Sequence, residues 1–379
     1  MKVITVAGAR PNFVKIAPLL HAYQSRNSEW DRAGSNKRIE SVLVHSGQHY
    51  DSSMSEVFFR DLNIPPPDIN LGIGSGSHAQ QTGKAMIAFE SVFETQKPDV
   101  IVVVGDVNTT LAAALVAAKL RIPLAHVEAG LRSFDRSMPE EINRVLTDAL
   151  ADFLFITEKD AEDHLRNEGI APDKIFFTGN VMIDSLMDLA KRTDENQAPE
   201  QLGLQRQNYA LITLHRPETV DQPASLANVL KILSALQTRI PVVFPVHPRT
   251  RARLDGSPAE IKVGLKSVRL LDPMGYIDFI ALMKSARFVI TDSGGIQEET
   301  TALGIPCITV RKTTERPITV TDGTNVVAGS DPAIVLQYCE KAIRGEWKSG
   351  RMPPLWDGKA GERIVRILCE RYLATEEHR

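Results

Sequence analysis

Short runs of apolar, mostly β-branched residues alternate along the chain with longer segments whose apolar positions recur at helical spacing. In the first half the runs are KVITVA, ESVLVH, DVIVVVG, PLAHVEA, DFLFIT and KIFFTG, separated by helix-like stretches such as 77–95 and 109–120. Strands that are apolar almost throughout, joined by helices, predict a parallel sheet covered on both faces. After Gly179 a polar stretch, KRTDENQAPEQLGLQRQN, has the composition of a linker or an exposed helix-loop. The alternation then restarts with YALITL, IPVVFPV, SVRLLD, RFVITD and IPCITV. The pattern predicts an α/β chain of two doubly wound domains, 1–180 and 181–357. The final segment, 358–379, carries Ile364, Val365, Ile367, Leu368, Tyr372 and Leu373 at helical spacing and can dock on either domain.

The length of 379 residues is more than one ordinary core accommodates and agrees with two domains. A net charge of -3, from 44 basic and 47 acidic residues, gives no general attraction to nucleic acid or anionic membrane, so any anion site is built locally. Cys307, Cys339 and Cys369 are far apart and form no CxxC pair or metal-ligand spacing. The N-terminal apolar run is too short for a signal peptide, and no segment approaches the ~20 apolar residues of a membrane span. The expectation is a soluble, cytoplasmic protein.

Ligands of parallel sheets bind beyond the carboxyl ends of the strands, so two facing domains of this kind predict one cleft between them. In the first domain VITVAG runs into Arg10 and Lys15, without the GxGxxG of a dinucleotide fold. DVIVVVG ends at Asp106, and PLAHVEA delivers Glu128, an acid inside an apolar strand that calls for a partner or a task. Pro139 then opens a helix with Glu140 and Glu141 in its first turn and Arg144 one turn on. Dipole stabilisation and pairing with Arg144 account for one of the two glutamates and leave the other available. In the second domain strands end at His215–Arg216 and at His247 and Arg249, a cationic rim. TDSGGIQEE offers the backbone N–H groups of Ser293, Gly294 and Gly295 at a helix start, a ready anion site, with Arg311 and Arg316 beyond it. Carboxylates on one side and cations on the other suit a ligand with a reactive neutral part and a doubly anionic part, such as a nucleoside diphosphate sugar.

GARPNFVKIAPL, GQHYD, GDVNTTLA, HVEAGLRS, MPEEINR, HRPE, PVHPR, TDSGGIQEE and TTERP follow one another over nearly the whole chain, which therefore resembles the non-hydrolysing UDP-N-acetylglucosamine 2-epimerase family. The resemblance implies a GT-B fold: two Rossmann-like domains facing across a cleft, with the last helix returning to the first. It also implies a homodimer that uses no metal or nicotinamide, and interconversion of UDP-GlcNAc and UDP-ManNAc by elimination of UDP to a 2-acetamidoglucal and re-addition. Matched by motif, Asp106, Glu128 and Glu140 are the acid/base residues, with His215 beside them. Arg10, His215, Ser293, Gly294 and Gly295 fall at the phosphates with Lys15 close by, and His247 joins that rim. Glu299 falls at the ribose, Phe279 at the uracil and Arg316 elsewhere in the nucleotide site, while Glu298 is the structural partner.

The chain departs from the family pattern at Asn12, Pro217 and Met274. After Gln48 and His49 it has Tyr50 and Asp51, and INLGIGSGSHAQQTG has no arginine, so activation by a second substrate molecule is expected to be weak or absent. The same variants occur in branches acting on a UDP-linked diacetamido uronic acid, which is the alternative substrate. A hydrolysing enzyme that releases N-acetylmannosamine and UDP is the alternative reaction.

Overall fold

The computed structural model describes residues 1–47, 59–193, 196–256 and 265–373. Gln48, His49, Tyr50 and Asp51 lie outside them. Two compact units divide the chain: Met1–Met187 with Pro354–Arg379, and Asp188–Pro353.

The sheet of the first unit is built from β1 (Lys2–Ala7), β2 (Glu40–His45), β3 (Ile69–Asn70), β4 (Val100–Val104), β5 (Leu124–Ala129), β6 (Phe153–Ile156) and β7 (Ile175–Phe177). Every pairing is parallel and the order is β3-β2-β1-β4-β5-β6-β7. The order reverses direction between β1 and β4, the switch point at which doubly wound sheets bind ligands. All five residues of β4 are buried, as a central strand covered on both faces requires. The helix Asn108–Leu120 that covers it is rich in alanine, nine of its residues are buried, and it packs against both His78–Gln96 and Pro139–Leu150.

The second unit repeats the plan with β8 (Ala210–Thr213), β9 (Val242–Pro245), β10 (Val268–Leu271), β11 (Phe288–Thr291), β12 (Cys307–Thr309) and β13 (Asn325–Val327). Its order, β10-β9-β8-β11-β12-β13, is again parallel throughout and reverses between β8 and β11. Its core lies between helices Pro223–Leu236 and Pro332–Arg344 on one face. On the other face Tyr209, Leu211, Val243, Leu282 and Val289 form a smaller cluster to which Met274 and Phe279 are added.

The helix Ala360–Leu373 belongs to the first unit, where it packs on Arg10–Arg32. Asp184 fastens it by accepting from the Gly361 N–H at 2.8 Å, and fully buried Trp356 donates its indole N–H to the Thr157 carbonyl at 3.0 Å. Burial pushes the Asp184 carboxyl up to about 6, against the backbone N–H groups that favour its charged form. All three cysteines are buried and unbridged. Among the described residues no helix is long and apolar enough to cross a membrane.

Candidate active site

In the first unit the switch point carries Gly8–Asn12 after β1 and Gly105–Asp106 after β4. Arg10 begins the helix Arg10–Arg32, and its side chain lies outside what the structure describes. Asn12 reaches back from that helix: its carbonyl oxygen accepts from the N–H groups of Gly8 at 3.1 Å and Ala9 at 2.8 Å. Its amide donates to the Val104 carbonyl at 3.0 Å, tying the ends of β1 and β4 together. The departure at Asn12 is thus a buried clasp of backbone groups.

Gly105 takes a positive φ of 70°, which only glycine adopts without steric cost, and turns the chain so that Asp106 emerges at the strand end. The Asp106 carboxylate is 30% exposed and pairs with the buried guanidinium of Arg144. Glu128 sits in β5 with φ 74°, at the point where the β5–β6 register shifts between Val127 and Ala129. Such a conformation costs roughly 1–3 kcal/mol for a residue with a side chain and persists where the surroundings enforce it. Its carboxylate is 2% exposed and holds the ammonium of Lys15 in an ion pair. An ideal Cβ at Gly105 would lie 3.3 Å from Lys15 Nζ and 3.5 Å from Glu128 Oε2, so that ion pair sits directly beside the residue preceding Asp106. Lys15, expected beside the phosphates, is engaged by Glu128.

The two adjacent glutamates separate cleanly. Glu141 is buried and accepts from the Ser133 N–H (2.9 Å), the Ser133 hydroxyl (3.0 Å), the Phe134 N–H (2.9 Å) and the Arg144 guanidinium (2.7 Å). Burial works against its ionisation, but the Ser133 N–H and Arg144 outweigh it and hold the carboxyl below the usual range. Glu141 is therefore the structural member, closing the loop that follows Glu128, and Glu140 is the half-buried one. Arg144 joins Glu141 to Asp106, which places the start of the Glu140 helix against the Asp106 loop.

At the switch point of the second unit, buried Asp292 organises the end of β8. It accepts from the backbone N–H of His215 (3.0 Å) and of Arg216 (2.9 Å) and faces His215 Nδ1 at 3.1 Å. Burial raises its proton affinity, yet the hydrogen bond and charge of His215 and the two N–H groups hold the carboxyl below the usual range. The His215 side chain is 40% exposed, and its ring centroid lies 5.7 Å from that of His247. His247 caps the helix Pro248–Asp255, its Nδ1 accepting from the Arg249 N–H at 3.2 Å.

Ser293 occupies the N-cap position of the helix Gly294–Leu303 without a side-chain capping bond. Its N–H donates to the Thr291 hydroxyl at 3.0 Å. Gly294 and Gly295 supply the first-turn N–H groups, which lack intrahelical partners by geometry. A Cβ on Gly294 would meet Glu315 Oε1 at 2.5 Å, so glycine is required by the close approach of that carboxylate. Glu315 pairs with Arg311 at 2.7 Å and lies 3.7 Å from Arg216. Burial opposes its charge, but Arg311, Arg316 and Arg216 hold the carboxyl far below the usual range. Glu298 takes Arg316 Nε at 2.7 Å, so Arg316 is oriented by a buried partner. Glu299, 3% exposed, accepts from the Tyr276 hydroxyl; burial, with Glu298 adding to it, pushes its carboxyl up to about 7. Phe279 lies on the same helix as Tyr276 and is half-buried against the smaller core cluster.

Arg144 was legible only as a helix-surface partner, and His126, Asp148, Glu315 and Tyr276 not at all. One signal was available: Glu141, Arg144 and Asp148 are spaced by three and four, which puts them on one face of the helix that Pro139 opens.

Residues 32–369 match the model of the family described as UDP-N-acetylglucosamine 2-epimerase. The chain is 42% identical over 378 residues to the UDP-N-acetylglucosamine 2-epimerase of Methanocaldococcus jannaschii, covering 97% of this chain and 99% of that one. It is also 42% identical to the UDP-2,3-diacetamido-2,3-dideoxy-D-glucuronate 2-epimerase of Pseudomonas aeruginosa, over 98% of this chain and 100% of that one. The crystal structure of the M. jannaschii enzyme in complex with UDP-GlcNAc and UDP matches with a TM-score of 0.87 at 41% identity, over 97% of this chain and 99% of that one.

Proposed function

The chain belongs to the UDP-N-acetylglucosamine 2-epimerase family, and from that premise we propose that it inverts C2 of the hexosamine in UDP-GlcNAc, giving UDP-ManNAc reversibly. C2 is not adjacent to a carbonyl in the ring, so removing its proton alone leaves an unstabilised carbanion. Elimination avoids this: the C2–H bond and the C1–O bond to UDP break, a C1–C2 double bond forms, and UDP carries away the electron pair. Re-addition of UDP at C1, with a proton delivered to the opposite face of C2, completes the inversion.

The observation that carries this reading is the gathering of Asp106, Glu128 and Lys15 around Gly105, with Arg144 linking Asp106 to the start of the Glu140 helix. Three carboxylates on three segments supply a base for one face and an acid for the other. Lys15 and Arg144 orient the carboxylates of Glu128 and Asp106. On the second unit, His215, His247 and the N–H groups of Gly294 and Gly295 are assigned to the diphosphate, whose charge grows as the C1–O bond breaks. Glu299 is assigned to the ribose, Phe279 to the uracil and Arg316 to the nucleotide; Arg10 is assigned to the phosphates by its motif. A second reading, epimerisation of a UDP-diacetamido uronic acid, is favoured by the 42% identity to the P. aeruginosa enzyme, equal to that for the M. jannaschii one. A homodimer is part of the proposal, supported by Ile87, Ile142 and Leu146, apolar side chains exposed on two helices of the first unit; so is a cytoplasmic location, where nucleotide sugars are made.

Proton NMR in deuterium oxide tests the proposal with each UDP-sugar in turn. The expected result is a mixture of two UDP-sugars, both deuterated at C2, for one of the substrates. Release of free sugar and UDP would establish hydrolysis instead, and undeuterated starting material with both substrates would defeat the reading.

A further inference from the structure

Behind the three carboxylates lies a buried network that the reaction as written does not use. His126, fully buried in β5, has an acceptor at each ring nitrogen: the Gly105 carbonyl 2.9 Å from Nε2 and the Asp148 carboxylate 2.6 Å from Nδ1. Asp148, equally buried, also accepts from the Gly130 N–H at 3.0 Å and pairs with Arg132 at 2.7 Å. Arg132 in turn grips Glu168 with two donors, at 2.8 and 2.6 Å, and carries the network out to a partly exposed residue.

The anchor points are specific. Gly105 directly precedes Asp106, Gly130 follows Glu128 by two residues, and Asp148 lies on the helix Pro139–Leu150, whose first turn carries Glu140. One side chain thus touches or bridges to every segment that bears a candidate acid or base. Arg144, one turn before Asp148, adds a second tie from the same helix to Asp106 itself. We propose that His126 and Asp148 are positioning residues, which hold the Asp106, Glu128 and Glu140 segments in register for proton transfer at C2. This rests on the C2 chemistry proposed above. A buried ion pair is weak grounds for stability, since apolar residues of equal volume often serve as well. Placement to within a fraction of an ångström is what catalysis demands, and a 1 Å error costs about 100-fold in rate.

Two substitutions separate the ties. The amide nitrogen of His126→Gln can stand where Nε2 stood and keep the donor to Gly105; that of His126→Asn stands where Nδ1 stood, keeps Asp148 and releases Gly105. With similar melting temperatures, each variant releases one of the two ties and is expected to lose about 10- to 100-fold in kcat, KM and UDP affinity staying within about threefold in both. Undiminished kcat in both variants, or losses that track melting temperature or fall on KM, would overturn the positioning role. Arg132→Lys, at the outer end of the network, gives the same reading if His126→Asn does not fold: kcat falls at constant KM, and an unchanged kcat refutes the proposal. Deuterium exchange at C2 by the unaltered protein is measured alongside. Its absence defeats the C2 chemistry, whereas its presence with undiminished variants defeats only the positioning.

Discussion

Each unit carries two adjacent glutamates on a helix, in the first turn in one unit and mid-helix in the other, and the two pairs are used in opposite ways. In the first unit Glu141 is enclosed by Ser133, Phe134 and Arg144 and kept charged, while Glu140 stays half-exposed. In the second unit both glutamates are buried: Glu298 holds Arg316, and Glu299 rests on Tyr276 with its proton affinity raised. The first arrangement leaves one carboxylate reachable from solvent. In the second, buried acids set the direction of a cation and a hydroxyl. The same contrast runs through the units as wholes: Asp106 and Glu128 face cations in the first, whereas Asp292, Glu298 and Glu315 orient His215, Arg216, Arg311 and Arg316 in the second.

The strongest way to break this contrast is Glu128→Gln, which keeps the shape but removes the charge facing Lys15. Turnover should fall by about 10³-fold, in the range for a lost acid or base, with UDP affinity little changed. Uncovering a buried Lys15 ammonium should also cost about 3 kcal/mol. Adding Lys15→Met should restore part of that stability in a denaturant melt and none of the turnover.

Next comes the first glutamate pair itself. Glu140→Gln should lower kcat by about 100-fold and leave stability within about 0.5 kcal/mol, while Glu141→Gln should destabilise by about 1–3 kcal/mol through the donors it leaves unmatched. Urea melts and initial rates on both variants check this, and a reversal would exchange the two roles.

For the second unit, Asp292→Asn should cost about 2 kcal/mol and weaken UDP binding about 10-fold by releasing the His215–Arg216 turn. The pH dependence has a definite sign. Asp292 and Glu141 have lowered folded values, so the stability they provide is complete above the unfolded range near 4 and disappears as pH falls below it. Melting between pH 7 and 3 should therefore drop less steeply in either variant than in the parent protein.

The smallest effect belongs to Glu299, whose carboxyl burial pushes up to about 7 from the ordinary 4.5. Its contribution is present below pH 4.5 and is lost as pH rises toward 7, the opposite sign. Glu299→Gln should flatten the stability curve between pH 5 and 8 by about 1 kcal/mol, read as melting temperature across that range.

Much of this architecture was legible before the structure. Apolar β-branched runs marked eleven of the strands because a doubly covered strand has no polar face to hide, and strand ends then pointed to Asp106, Glu128, His215 and Ser293. Ile69–Asn70 and Asn325–Val327 escaped because two or three residues show no period, and within KRTDENQAPEQLGLQRQN the short helix Ala198–Gln201 has too few turns to carry one. The partner choices were illegible for a different reason. Nothing local distinguishes Glu140 from Glu141; the difference comes from the loop at Ser133 folding back onto one of them. Asp148 acquires its place only when His126 arrives from 22 positions earlier, and Asn12 when Val104 arrives from 92 positions later.

The division of labour between the units is tested most directly on one variant, Asp106→Asn, which keeps an acceptor for Arg144. Calorimetric titration with UDP and deuterium incorporation at C2 are measured on the same preparation. The account predicts UDP affinity within about threefold of the parent and C2 exchange reduced by about 100-fold or more. Exchange at the parental rate, or loss of UDP binding in step with loss of exchange, would contradict it.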